Sequence, residues 1–342
     1  MPVRWMDDSA AGAPSGFGKT LNIGLINNMP DAALKATERQ FASLLDAASP
    51  DIQVNLFLYA LPTVPRGEAG RRHVSGAYLD IETLWDARLD GLIVTGTEPR
   101  AADLRDEPYW DALTRVLEWA ETNTRSSVWS CLAAHAAIQH LDGIRRQRYA
   151  QKRFGVFECE LVSGHELLAG LHSPLRVPHS RWNDIPGDQL AERGYSVLTR
   201  SADGGVDAFI RQGKSLFLFF QGHPEYQSDT LLLEYRRDVW RFVKGESDAY
   251  PGLPEDYFDR ETQELLAAAR ERIVSERNEQ ALAHFPTALL SRKVQSTWRP
   301  ASTQIYRNWL EYQWLQKERS PSGPSVSVLA SNERPGVHQN FR

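Results

Sequence analysis

Ser130-Cys131-Leu132 closes one apolar run of the chain, and Gly222-His223-Pro224-Glu225 closes another. Each run reads as a buried strand, so both segments are expected at one edge of a sheet, where a thiol, an imidazole and a carboxylate would meet. Those three groups suit covalent acyl transfer: a sulfur nucleophile, a ring that moves its proton, and an acid that holds the ring. A buried, inert cysteine and a turn histidine form the plainer alternative. A cysteine between a strand and a helix sits in a tight turn whose backbone N–H groups stabilise a thiolate and the oxyanion of a tetrahedral intermediate. Ala133 and Ala134 keep the start of that helix slim. In an extended segment positions two apart point the same way, which would place Glu225 in support of an imidazole facing Cys131.

Further candidates flank this set. Glu234 and Arg237 are three apart on a helix and therefore share a face. They form either a solvent-exposed ion pair or a clamp for an amino acid, with Glu234 on the ammonium and Arg237 on the carboxylate. His179-Ser180-Arg181 offers a ring and a hydroxyl in an expected loop. Arg145, Arg146, Arg148, Lys152 and Arg153 make a basic stretch, read as solvated surface or as a seat for cofactor phosphates. Gly16-Phe17-Gly18-Lys19-Thr20 resembles the end of a phosphate-binding loop, but Ala13 stands where its first glycine belongs and a strand follows rather than precedes it. His135 and His140 lack further ligands nearby, so no metal site is expected.

Alternating strands and helices must position these groups. Strands are expected at 21–26, 54–59, 92–94 and 127–130, with helices at about 33–47, 109–119 and 132–138. That alternation predicts an α/β fold, a mostly parallel sheet flanked by helices. Ligands in such folds bind beyond the carboxyl ends of the strands; Thr95-Gly96, Cys131 and His223 fall there. Short strands at 155–161, 175–177, 195–199, 208–211 and 215–220 imply some antiparallel pairing, before a helix at about 229–242. A C-terminal helical extension follows, at about 260–283 and 303–316, the latter with Tyr306, Trp309 and Tyr312 packed in a groove or interface. Residues 1–20 read as a flexible arm, 21–316 as the enzyme domain and 317–342 as a disordered tail.

Composition narrows the functional classes. The 342 residues carry a formal net charge of -5, with 42% hydrophobic and 24% charged residues. A general attraction to nucleic acid or to anionic membranes is therefore not expected. Two cysteines are too few for a disulfide framework and fit a reducing cytoplasm, the expected location. No apolar run approaches the roughly 20 residues of a membrane span.

Between about 21 and 315 the chain resembles the homoserine O-succinyltransferase / O-acetyltransferase family, whose fold is similar to the class I glutamine amidotransferase domain. The resemblance rests on Asn28-Met29-Pro30 with Thr37-Glu38, Val94-Thr95-Gly96 with Tyr109-Trp110, Cys131, His179-Ser180-Arg181, Gly222 to Tyr226, Glu234 with Arg237, and Asn308-Trp309-Leu310. It implies Cys131 as acyl-accepting nucleophile, His223 as general base and acid, and Glu225 as its support. Glu234 and Arg237 would bind homoserine, Lys152 and Ser180 would line the acyl site, and Lys35 would lie near it. It implies acyl-CoA (succinyl-CoA or acetyl-CoA) as co-substrate, no prosthetic group, and a homodimer. The chain departs from the family at Leu132, His135 and Cys159, and at Arg100, where succinyl-transferring members tend to carry Gly and acetyl-transferring members Glu. A guanidinium at 100 facing the acyl pocket would pair with the free carboxylate of a succinyl group, which favours succinyl-CoA; turned outward, it leaves acetyl admissible. Serine as acceptor, a glutaminase-like cysteine hydrolase, and a binding protein with a decayed site remain the other readings.

Overall fold

The computed structural model describes residues 2–6, 18–203 and 205–320. In chain order the strands and helices are β1 (Val3–Met6), β2 (Lys19–Ile26), α1 (Leu34–Ala48), β3 (Ile52–Tyr59), α2 (Glu68–Ala77), β4 (Gly91–Thr95), α3 (Trp110–Asn123), β5 (Ser126–Ser130) and α4 (Leu132–Asp142). They continue with β6 (Gln147–Leu161), β7 (Leu175–Asp184), α5 (Gly187–Glu192), β8 (Ser196–Val197), β9 (Thr199–Ser201), β10 (Ala208–Gln212), β11 (Leu216–Phe220), α6 (Thr230–Val243), α7 (Arg260–Glu276), α8 (Thr287–Leu290) and α9 (Arg299–Arg319).

Eight strands form the main sheet in the order β1-β3-β2-β4-β5-β11-β10-β8. The pairings from β1 to β11 are parallel, and those of β10 with β11 and β8 are antiparallel. Apolar side chains on both faces make this a buried sheet. Alternation sends Val94, Trp129, Phe217 and Phe219 into one core with α3 and α4. Ile93, Val128, Leu218 and Phe220 go into the other, with α1 and α9. A second sheet, antiparallel in the order β7-β6-β9, lies in the connection between β5 and β11. Helices α6, α7 and α8 close a third apolar cluster around Phe154, Val156 and Trp298.

Several expectations change. Residues 3–6 of the expected arm form β1, because its backbone completes the free edge of β3; Lys19 and Thr20 begin β2, and 7–17 lie outside the described residues. Lys317 to Arg319 belong to α9, with Lys317 Nζ 2.7 Å from Asp90 Oδ2; 321–342 lie outside the described residues. The helix expected over 260–283 stops at Glu276, where Arg277 takes a left-handed φ of 39°. His179-Ser180-Arg181 is strand, not loop: its backbone pairs with Arg153 to Gly155 of β6. The aromatics of α9 pack on their own sheet, with Trp309 Nε1 donating to Ser126 Oγ at 2.9 Å, so they supply core rather than an interface. Among the described residues no helix is long and apolar enough to cross a membrane.

Candidate active site

Strand register assembles the site. Ser130 is paired with Phe220 across β5 and β11, so the residues that follow each strand emerge side by side. The Cys131 amide donates to the Phe220 carbonyl at 2.7 Å. Cys131 is held at φ 52°, ψ -112°, a conformation that costs a side-chain-bearing residue about 1–3 kcal/mol and persists only where the surroundings impose it. The reward is a thiol raised above the sheet at the N-terminus of α4, where first-turn N–H groups lack intrahelical acceptors. Gly96 makes room for this turn: a Cβ there would lie 2.4 Å from Leu132 Cβ and 3.0 Å from the Ala133 nitrogen.

The second segment does not run extended as expected. It folds as a turn in which the Tyr226 amide donates to the His223 carbonyl at 3.1 Å. The turn nonetheless brings Glu225 Oε1 to 2.9 Å from His223 Nδ1. That leaves Nε2 as the ring nitrogen open to the sulfur, and the Cys131 side chain is close enough to act on the ring's charge. Burial is the largest influence on His223 and opposes its charge. The Glu225 carboxylate and the Cys131 sulfur outweigh it and hold the imidazole well above the ordinary histidine range. The His223 amide donates to the Pro178 carbonyl at 2.9 Å, which ties the turn to β7.

Beneath the turn lies a buried polar network. Asp207 Oδ1 accepts from the Gly222 amide at 3.1 Å. Gln221 Oε1 accepts from Arg181 Nη1 at 2.8 Å and faces His135 Nε2 at 3.0 Å. His135, a departure from the family pattern, is thereby absorbed; His140 lies 3.0 Å from Glu118. Cys159 is fully buried, and desolvation, above all else, pushes its thiol far up. It is core.

Glu234, Ser180, Lys152 and Arg237 also come together. Glu234 Oε2 accepts from Ser180 Oγ, and Oε1 accepts from Tyr226 Oη at 2.6 Å. Lys152 Nζ donates to Asp238 Oδ2 at 2.8 Å and lies 3.9 Å from Glu234. Arg237 Nη2 is 3.1 Å from Asp238 and 3.9 Å from Glu234. Burial alone would raise the Asp238 carboxyl; Lys152 and Arg237 overcome that and hold it below the usual range. Tyr226 joins this cluster to the triad, its ring stacked on His223 with centroids 4.2 Å apart. Sequence reasoning assigned no role to Tyr226 or Asp238, although each adjoins a residue that it did single out.

Two candidates stand apart. Lys35 is exposed on the first turn of α1. Arg100 is exposed too, and its amide, with that of Ala101, donates to Glu107 Oε1. In the basic stretch, Arg153 is buried and paired with Asp203, and Lys152 belongs to the Glu234 cluster. That stretch is therefore not uniformly solvated surface.

A family model described as homoserine O-succinyltransferase matches residues 2–320. A homoserine O-succinyltransferase from Rhodopseudomonas palustris is 50% identical over 296 residues, which are 86% of this chain and 89% of that protein. One from Bradyrhizobium japonicum is 46% identical over 293 residues, 85% of this chain and 90% of that protein. Among solved structures, a glutamine amidotransferase from Methylobacillus flagellatus is similar with a TM-score of 0.45 at 15% identity, covering 95% of this chain and 99% of that one. The family resemblance carried by Cys131, the Gly222–Tyr226 run and the Glu234/Arg237 pair thus extends across the described chain.

Proposed function

This chain belongs to the homoserine O-succinyltransferase family, and we propose that it transfers a succinyl group from succinyl-CoA to the side-chain hydroxyl of L-homoserine through a thioester on Cys131. The observation that carries this reading is one buried imidazole 2.9 Å from the Glu225 carboxylate and under the influence of the Cys131 sulfur, the two segments being set side by side by the pairing of Ser130 with Phe220.

In the first step the Cys131 sulfur attacks the thioester carbonyl, and its proton resides on His223. The oxyanion faces the free amides at the start of α4, which Gly96 allows to pack close to the end of β4. As the tetrahedral intermediate collapses, the bond to the CoA sulfur breaks and His223 returns its proton to that leaving group. In the second step His223 takes the proton of the homoserine hydroxyl while its oxygen attacks the succinyl carbonyl. Collapse breaks the bond to Cys131 and regenerates the thiol. Glu225 holds the ring and balances its charge in both halves. Glu234 receives the homoserine ammonium and Arg237 its carboxylate. Lys152 and Asp238 keep that cluster near neutrality, and Ser180 fixes the Glu234 rotamer.

Incubation with succinyl-CoA alone tests the covalent step. One succinyl group is expected on the peptide containing Cys131, discharged when homoserine is added. Normal turnover with both substrates and no such adduct would overturn the two-step route. Donor choice is read from kcat/KM for succinyl-CoA and acetyl-CoA, where a clear acetyl preference would overturn succinyl transfer.

A further inference from the structure

Beside Cys131 lies a narrow cleft lined by Asn28, Thr95 to Thr97, Tyr109, Leu113, Leu132 and Ala133. Two polar groups near it are used by none of the steps above. Tyr109 is 3% exposed, and its hydroxyl has no partner among the described residues. Burial, reinforced by Glu107, holds that phenol above its ordinary range, so it stays protonated and able to donate. Arg146, which follows α4, is half-buried. Its Nη2 makes one long contact, 3.5 Å to the Ala102 carbonyl, on the same connection that carries Thr97 and Glu107. Among the described residues no carboxylate lies within ion-pair distance of it, although its charge acts on Tyr109, Glu107 and Cys131. Glu107 does not neutralise it by contact, being engaged by the amides of Arg100 and Ala101. Most of the five donors of this guanidinium are therefore unspent, and its charge is felt at the nucleophile.

We propose that Arg146, with the Tyr109 hydroxyl, receives the free carboxylate of the succinyl group and so sets the choice of acyl donor. This rests on the acyl-transfer reading and deepens it. A guanidinium partly removed from water binds a carboxylate strongly, because solvent competes less and its fork matches both oxygens. The phenol supplies a further hydrogen bond. A donor of equal chain length without the carboxylate would leave the buried phenol and the half-buried guanidinium without that partner, which is how polar sites reject close analogues. The residue that the sequence alone pointed to for this task, Arg100, is exposed; the half-buried guanidinium is Arg146.

The test compares kcat/KM for succinyl-CoA and butyryl-CoA, which share a chain length and differ in the terminal carboxylate. In Arg146→Gln the succinyl/butyryl ratio is expected to fall about 10- to 100-fold, the worth of a charge-assisted hydrogen bond. In Tyr109→Phe it falls about threefold to tenfold, and Arg146→Lys lies between wild type and Arg146→Gln. The ratio is expected to hold in Arg100→Gln. Should Arg146→Gln fail to fold, Arg146→Lys and Tyr109→Phe carry the comparison. Equal loss with both donors, an unchanged ratio, or collapse of the ratio in Arg100→Gln would overturn the assignment. Wild-type protein that turns over neither donor overturns succinyl transfer itself and this inference with it. Active wild-type protein with unaltered variant ratios overturns only the inference.

Discussion

The Tyr226 ring lies nearly parallel to that of His223, with 14° between planes, while its hydroxyl donates to Glu234 at 2.6 Å. One side chain thus braces the imidazole and orients the carboxylate assigned to the homoserine ammonium. Burial, then Glu234, holds its phenol well above the ordinary range, so it remains a donor. Tyr226→Phe keeps the stack and removes only the hydroxyl. Steady-state kinetics should show KM for homoserine raised about fivefold, the value of one hydrogen bond of about 1 kcal/mol, with kcat within a factor of two. A large fall in kcat at unchanged KM would mean that the hydroxyl serves the triad instead.

Glu225 is 4% exposed and accepts at 2.9 Å from His223. Glu225→Gln keeps the shape and removes the charge. By analogy with other triads, kcat should fall by about 10²- to 10⁴-fold. Glu225 is one of the two groups that lift the His223 pKa against burial. Its loss therefore lowers that pKa, and a limb of the pH–rate profile that reports His223 should move to lower pH. A limb that stays in place would assign that titration to another group.

The position of Cys131 between strand and helix was legible in the sequence because a buried parallel strand and the helix after it leave a local signature, an apolar run ending in Cys131 and alanines. The neighbouring position of His223 was legible for the same reason: two such strands share an edge. The shape of the His223 segment was not. Period-two reasoning placed Glu225 behind the ring through an extended chain, whereas a turn does so, because the Pro178 and Asp207 contacts on other elements fold the backbone there. β1 and the extent of β7 were likewise invisible. Their order comes from pairing with β3 and β6, partners far away in sequence. Arg146 was seen only as one charge in a basic run, since sequence carries no signal for which arginine of such a run is desolvated.

Gly222 shows how tightly that turn is held. A Cβ there would meet Val177 Cγ1 at 2.6 Å, Asp207 Oδ1 at 2.7 Å and His179 Cε1 at 3.0 Å. Gly222→Ala must therefore push the turn away from β7 or displace Asp207 from the amide it accepts. Urea unfolding should show a loss of about 1–3 kcal/mol. Activity in the folded variant should fall more than homoserine binding, since the displaced residue adjoins His223. Unchanged stability would mean that the network beneath the turn yields freely.

Three buried histidines contribute to the dependence of stability on pH, and their signs differ. Burial above all, then the charges of Arg181 and Arg146, pushes His135 down to about 3. Burial and Arg181 likewise hold His179 well below its ordinary value. The unfolded chain titrates its histidines near pH 6.5, so below that pH it binds protons that the folded protein refuses. Stability therefore falls as the pH drops, by about 1.4 kcal/mol per pH unit for each group. His223 is raised, so its contribution is full below about pH 6.5 and is lost as the pH rises through its folded value. From these three groups the maximum lies near pH 6.5. In His135→Gln the amide can still donate to Gln221 Oε1, while one of the two acid-side protons disappears. The stability lost between pH 7 and pH 5, measured by urea unfolding, should be about 2 kcal/mol smaller than in the wild type. An equal loss in both proteins would mean that His135 is not the group that acid must charge.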